Sequence, residues 1–295
     1  MKLSGNKTDL QKRLYKAECN ARKTELGRMS RAERKEELKN VAHRWKEYCK
    51  QVPLETGFGD FDECGGIRTS CVTTVYGHRG SGKTAFVMNV VVNLLKQGKR
   101  CTILSMDKPK KEIRTLLACI VAKTSKAQVE SNSLTADEKR RFDAAVEWLE
   151  KQKLDIYDGH FTEKDIYRIS YEANANEESP DLLVVDAISE IIPTRSNNGI
   201  GILSYIKNYK TAVVVTETSD GCLKDRELFK LSDILVKLQR TSLRQSTKRL
   251  IELENRDAFY DVTMRIVKNR RGKRRKIVLC GDGCVFEEKP AKRLT

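Results

Sequence analysis

Four short stretches of this 295-residue chain carry side chains at spacings that could do chemistry. The first, Gly77-His78-Arg79-Gly80-Ser81-Gly82-Lys83-Thr84, fits G-x-x-x-x-G-K-[ST]. Glycines at these places let backbone N–H groups close around phosphate oxygens. Lys83 can then reach the β and γ phosphates of a nucleoside triphosphate, and the Thr84 hydroxyl can serve Mg²⁺. The second, Leu182-Leu183-Val184-Val185-Asp186, is an apolar run ending in a carboxylate, suited to holding Mg²⁺ through water beside such a loop. The third ends in Asp107, a carboxylate able to orient and deprotonate an attacking water. Asp107-Lys108-Pro109 is also a natural helix start, which would give Asp107 a merely structural role. The fourth is Lys268-Asn269-Arg270, entering the turn Arg271-Gly272-Lys273-Arg274. An arginine at the tip of a stiff hairpin can reach a neighbouring subunit's γ-phosphate, where one guanidinium is worth about 10³ or more in rate. So dense a charge run also reads as a solvated or nucleic-acid-facing turn.

These groups need a frame. Apolar runs rich in β-branched residues at 71–76, 101–105, 154–157, 182–185 and 212–215 alternate with helical stretches, among them 85–95 directly after the phosphate loop. That alternation predicts a parallel sheet covered by helices on both faces. After Leu231 the pattern changes to 234–238, 262–267, 276–280 and 284–287, joined by Gly-containing turns, which predicts an antiparallel extension on the sheet's edge. The fold class expected is α/β, a phosphate-loop NTPase core with a mostly parallel sheet and antiparallel edge strands. Residues 1–52 are expected to be a basic helical arm: Ser30-Arg31-Ala32-Glu33 is a capping box, and Leu38, Val41, Ala42, Trp45 and Tyr48 recur at helical spacing. The break at Gln51-Val52-Pro53-Leu54 ends the arm, and 53–295 form the catalytic domain.

Charge is unevenly placed within a net of +16. Residues 1–50 hold 15 Lys and Arg against 7 Asp and Glu, and residues 240–276 hold 13 against 4, so the rest is nearly neutral. Two basic segments flanking a neutral core suit a polyanion, because cations that neutralise phosphates release counterions; solvated helix faces are the plainer alternative. Nine cysteines without a C-x-x-C point to reduced, mostly buried thiols in a reducing, cytoplasmic compartment. Cys280 and Cys284 sit four apart with no second pair, as in an ordinary hairpin. No apolar run approaches the roughly 20 residues of a bilayer span, so no membrane partner is expected.

Together these segments resemble the RecA-like ATPase domain of DnaB-type and Twinkle-type replicative helicases, over about residues 54–288. Thr56-Gly57-Phe58-Gly59-Asp60-Phe61-Asp62 with Gly65-Gly66-Ile67 is similar to that family's lead-in segment, and Leu104-Ser105-Met106-Asp107-Lys108-Pro109 to its S-L-E-M-P segment. Lys268-Asn269-Arg270 with Gly272 resembles its K-x-R-x-G hairpin, used in trans on the adjacent subunit's nucleotide. Ser232-Asp233-Ile234-Leu235-Val236 is similar to the strand before that hairpin. The resemblance implies ATP or another NTP with Mg²⁺, a homo-oligomeric ring of about six subunits, single-stranded DNA in its channel, a replisome setting of phage, plasmid or cellular origin, and a primase or loader as partner. By the same likeness, loops near 193–199 and 219–231 face the channel, making Arg195, Lys224, Arg226 and Lys230 candidate contacts to strand phosphates. The chain departs from the family in four ways. Its catalytic Glu is Asp107 here, and a γ-phosphate-sensing Gln is replaced by Thr218, beside Glu217. Only residues 187–211 separate Asp186 from the next strand, and no globular collar is expected before the core. The alternatives are a DNA-bound recombination or replication accessory ATPase that switches conformation without unwinding, and a KaiC-like signalling ATPase.

Overall fold

The computed structural model describes residues 52–162, 164–166, 168–169, 179–190, 211–218, 226–240, 260–270, 272–282 and 284–289. All lie in the second of the two compact units into which the chain divides, Gln51–Thr295. The expected arm, but for Val52, falls outside them.

Among the described residues nine strands make one sheet: β1 (Val72–Gly77), β2 (Cys101–Ser105), β3 (Leu154–Asp158), β4 (Leu182–Asp186), β5 (Ala212–Thr218), β6 (Ile234–Arg240), β7 (Tyr260–Asn269), β8 (Lys276–Gly281) and β9 (Phe286–Glu288). Their order is β3-β2-β4-β5-β1-β6-β7-β8-β9. Pairing is parallel from β3 through to β6 and antiparallel from β6 to β9, as the change of pattern after Leu231 anticipates. The described helices are α1 (Gly59–Glu63), α2 (Lys83–Lys96), α3 (Lys110–Ala122), α4 (Lys126–Glu130), α5 (Ala136–Glu150) and α6 (Arg226–Leu231).

The near-continuous apolar runs of β4 and β5 follow from burial on both faces, and β1 and β2 are likewise buried along their whole length. In β4, Leu182 and Val184 face one hydrophobic cluster while Leu183 and Val185 face the other; in β5, Ala212 and Val214 alternate with Val213 and Val215 in the same way. The period of two thus feeds two cores. The larger holds α2, whose residues Ala85 to Val92 are all buried, as are Leu94 and Leu95. Phe86 is fully buried there, with ring centroids of Phe58 and Phe61 at 5.0 and 6.0 Å. Truncating it to alanine would cost about 3–5 kcal/mol. α5 starts at the capping box of Thr135 and Glu138, packs against α3 and joins the larger core through Ala145 and Leu149.

The lead-in segment and the last strands are fastened to this frame. Asn89 of α2 donates to the Cys284 carbonyl at 2.6 Å and accepts from the Phe286 N–H at 3.3 Å. Glu288 accepts from the N–H groups of Asp60 and Phe61 at 2.9 and 3.2 Å. Asn269 donates to the Cys64 carbonyl at 2.7 Å. Gly272 has to be glycine for this approach, since a Cβ there would lie 1.9 Å from that oxygen.

Candidate functional site

In a parallel sheet the carboxyl ends of the strands collect on one edge, where α/β proteins bind ligands. Here the ends of β1, β2, β4 and β5 surround a cavity of about 410 Å³. Arg79, Gly80, Gly82, Lys83, Thr84, Asp107 and Asp186 all line it. The chain leaves β1 at Gly77, turns through His78 to Gly82 and enters α2 at Lys83. Gly77 is packed so closely that a Cβ would stand 2.3 Å from the Leu238 carbonyl, and Gly82 holds φ +88°, with the Phe286 ring directly beneath it. Both need glycine, one for space and one for backbone conformation as well.

Lys83 Nζ donates to the carbonyls of Gly77 and His78, each at 2.9 Å. An ammonium has three donors, so one more can serve a phosphate. Burial lowers the pKa of Lys83 from its ordinary value, against Asp186 and Glu217, which raise it. Ser81 Oγ is buried with no hydrogen-bond partner among the described residues, an orphan that an incoming phosphate oxygen would satisfy. At the tip of β4, Asp186 is 4% exposed and accepts from Thr84 Oγ1 at 3.0 Å and from Thr216 Oγ1. A hydroxyl and a carboxylate held together in this way fit a hard divalent cation, which takes oxygen ligands.

Asp107 does not cap the helix that follows it. Pro109 occupies the N-cap position of α3, and the Lys110 N–H donates to Asp158 at 2.7 Å. Asp107 is exposed on the cavity wall instead, so the structural alternative weighed from the sequence has no support in the geometry. Thr218, at the end of β5, lines the same cavity.

Lys268 and Arg270 are not brought to this cavity. Lys268 Nζ donates to the Phe229 carbonyl at 2.5 Å and lies 4.8 Å from the Phe229 ring centroid. Arg270 donates to the Lys230 carbonyl at 2.5 Å and to Asp233 at 3.3 Å. Of the candidate strand contacts, Lys230 is exposed on the last turn of α6 and Arg226 opens that helix. Arg195 and Lys224 lie outside the described residues.

Sequence reasoning missed three groups at the site. Thr216 bonds Asp186 and lines the cavity; as the residue directly after the apolar run of a strand beside β4, it could have been found from the parallel order. Tyr260 also lines the cavity, under the Arg240 guanidinium at 3.7 Å. Phe286 backs Gly82 from the last strand. Nothing local to Tyr260 or Phe286 in the sequence signals these roles.

A family model described as "DnaB-like helicase C terminal domain" matches residues 53–208. No curated protein matches the chain. Among solved structures, one titled as an ATPase domain superposes with a TM-score of 0.67 at 16% identity, covering 86% of this chain and 98% of that one. A structure titled "The Structure Of A DnaB-Like Replicative Helicase And Its Interactions With Primase" superposes with a TM-score of 0.65 at 14% identity, covering 85% of this chain. The chain spans 65% of that helicase's length. At these identities the structural likeness establishes the fold, a RecA-like α/β core with an antiparallel extension.

Proposed function

Because the chain belongs to the family of DnaB-like helicase C-terminal domains, we propose that it is an ATP-hydrolysing motor of DNA replication that works on single-stranded DNA as a ring. The observation that carries this reading is a division of labour. Lys83, Thr84, Asp107 and Asp186 share one cavity, while Lys268 and Arg270 are engaged on α6 and do not line it. One protomer has the grip for a triphosphate and the carboxylates; the cations for the transition state belong to the site of the next.

In that arrangement the amides of residues 77–84 and the Lys83 ammonium hold the phosphates. Mg²⁺, held by Thr84 and Asp186, would neutralise charge on the β and γ phosphates. Asp107 accepts the proton of a water whose oxygen bonds to the γ phosphorus as the bond to the β–γ bridging oxygen breaks. The neighbour's Lys268 and Arg270 stabilise the negative charge that spreads over the transferring group and the departing ADP. Channel-facing residues Arg195, Lys224, Arg226 and Lys230 would hold the strand by its phosphates, and the arm over 1–52 would tie each subunit to its neighbour. The setting is the replisome, with a primase or loader as partner.

The test is complementation. Lys83→Ala should lose nucleotide binding or turnover. Arg270→Ala should bind nucleotide yet lose about 10³-fold or more in turnover. Mixing the two should restore hydrolysis through interfaces that join an intact pocket to an intact arginine; no recovery at any mixing ratio would count against a site shared between subunits.

A second reading is favoured by Thr218 standing on the cavity wall where the helicases place a Gln, and by the shorter carboxylate of Asp107. It is an accessory ATPase that switches conformation on DNA without unwinding. Strand displacement on a forked duplex supports the motor; filament formation on single strands without displacement supports the switch.

A further inference from the structure

The last turn of a helix leaves carbonyls without intrahelical partners, and cations commonly satisfy them. α6 ends in such a cluster. Its Leu228 carbonyl accepts from the N–H and hydroxyl of Ser232, at 2.9 and 2.6 Å, and that hydroxyl also bonds Thr74 of β1 at 2.6 Å. The next two carbonyls, of Phe229 and Lys230, accept from Lys268 and Arg270. Asp233, 6% exposed, joins the group to the sheet. One carboxylate oxygen accepts from the Val72 N–H at 3.0 Å and the other from Arg270 Nη1 at 3.3 Å, while the Asp233 carbonyl accepts from the Arg270 N–H at 3.0 Å.

From this geometry we propose that Asp233 is a positioning residue. With the final turn of α6 it forms a bracket that aims Lys268 and Arg270 at the neighbouring subunit's nucleotide and makes the strand-contact helix and the trans cations move together. Two of the guanidinium's five N–H donors, one on each terminal nitrogen, are fixed by Asp233 and Lys230, and the side chain remains 46% exposed. Its free edge therefore points in a set direction. Lys230 is at once a candidate strand contact and the residue whose carbonyl accepts from Arg270. A shift of α6 on binding the strand is thereby transmitted to both trans cations, to Lys268 through the Phe229 carbonyl and to Arg270 through the Lys230 carbonyl. This proposal rests on the shared-site reading above.

Asp233→Asn tests it. The amide keeps an acceptor for Val72 but turns donors toward Arg270. Misplacing a reacting group by about 1 Å can cost on the order of 10² in rate, so turnover should fall about tenfold or more. Affinity for a fluorescent ATP analogue and the melting temperature should stay unchanged. The specific readout is the pattern of rescue in mixtures. Asp233→Asn has a sound pocket and a misaimed arginine, so Lys83→Ala protein should restore hydrolysis and Arg270→Ala protein should not. Wild-type turnover for Asp233→Asn, rescue by neither protein, or equal rescue by both would overturn the proposal. Should Asp233→Asn misfold, Asp233→Ser, which also keeps an acceptor for Val72, is measured in the same way. If Lys83→Ala and Arg270→Ala fail to complement each other, the shared site itself is wrong. If they do complement and Asp233→Asn shows no donor defect, only the bracket is wrong.

Discussion

Replacing Gly82 with alanine puts the phosphate loop under a defined load. Gly82 has φ +88°, a conformation that costs an L-residue about 1–2 kcal/mol. A Cβ at this position would lie 2.9 Å from Phe286 Cζ and 3.3 Å from Cε2. Phe286 is 4% exposed and set edge-on against Tyr260 at 6.1 Å, so its ring has little room to retreat. Overpacking of this kind adds about 1–3 kcal/mol. If the whole load falls on the phosphate-gripping conformation, nucleotide affinity drops by about 2–5 kcal/mol, roughly 30-fold to several thousand-fold. Gly80 supplies the control: its φ is +73°, but a Cβ there meets nothing within 4 Å. Gly80→Ala should therefore lose only the backbone share, roughly 5- to 30-fold. Titration of a fluorescent ATP analogue against both variants, with melting curves alongside, measures the difference. Adding Phe286→Leu to Gly82→Ala should recover part of it. If Gly82→Ala and Gly80→Ala bind alike within about twofold and melt like the wild type, the contact between the last strand and the loop is not setting the grip.

Other expectations follow from the same geometry. Asp107→Glu restores the methylene that the helicases have, and single-turnover hydrolysis should rise about tenfold or more if the reach of the base limits the rate; Asp107→Asn should lose about 10²-fold or more, and an unchanged rate in Asp107→Asn would remove Asp107 from that role. Binding to single-stranded DNA, followed by fluorescence anisotropy, should weaken with salt with a log–log slope of about −3 if Arg195, Lys224, Arg226 and Lys230 each neutralise one phosphate, and a flat response would discredit all four. Asp62 gives a pH signature: burial raises its pKa from 3.8 to about 6, with Glu288 adding to the effect and hydrogen bonds from Thr56 and Gly57 opposing it. A carboxyl raised in the folded state favours folding while protonated, so its contribution is full below about pH 4 and lost as pH rises through about 6. Urea midpoints of wild type should fall over that window relative to Asp62→Asn; parallel curves would refute the assignment.

How far the sequence reveals this protein depends on the range of the interactions. The phosphate loop and the strand ending in Asp186 are legible because their chemistry is written in consecutive residues. The alternation of apolar runs yields the parallel half of the sheet, and the shorter runs after Leu231 yield the antiparallel half. Ends of elements are less legible: β5 continues through Thr216, Glu217 and Thr218, because pairing with β1 extends it past the apolar run. Least visible are contacts made across the chain. The ring of Phe286 under Gly82 and the carboxylate of Asp233 on Arg270 arise from strand order, which period and propensity do not encode. Lys268-Asn269-Arg270 is conspicuous as a charge run, but its attachment to the end of α6 depends on the register of β6 against β7.

The fastening of the last strand to the nucleotide helix has a consequence for biosynthesis. Asn89 lies in the first third of the chain, yet its hydrogen-bonding partners at Cys284 and Phe286 are close to 200 residues downstream. Glu288, still further along, anchors the backbone of Asp60 and Phe61. At about 5–20 residues per second, translation would take roughly 10–40 s to travel from the phosphate loop to these partners. During that interval the nascent polypeptide carries its triphosphate-binding motif without the floor beneath it. Closure of the site around Gly82 therefore waits until residues 284–288 have been made and have folded back onto α2 and the lead-in segment.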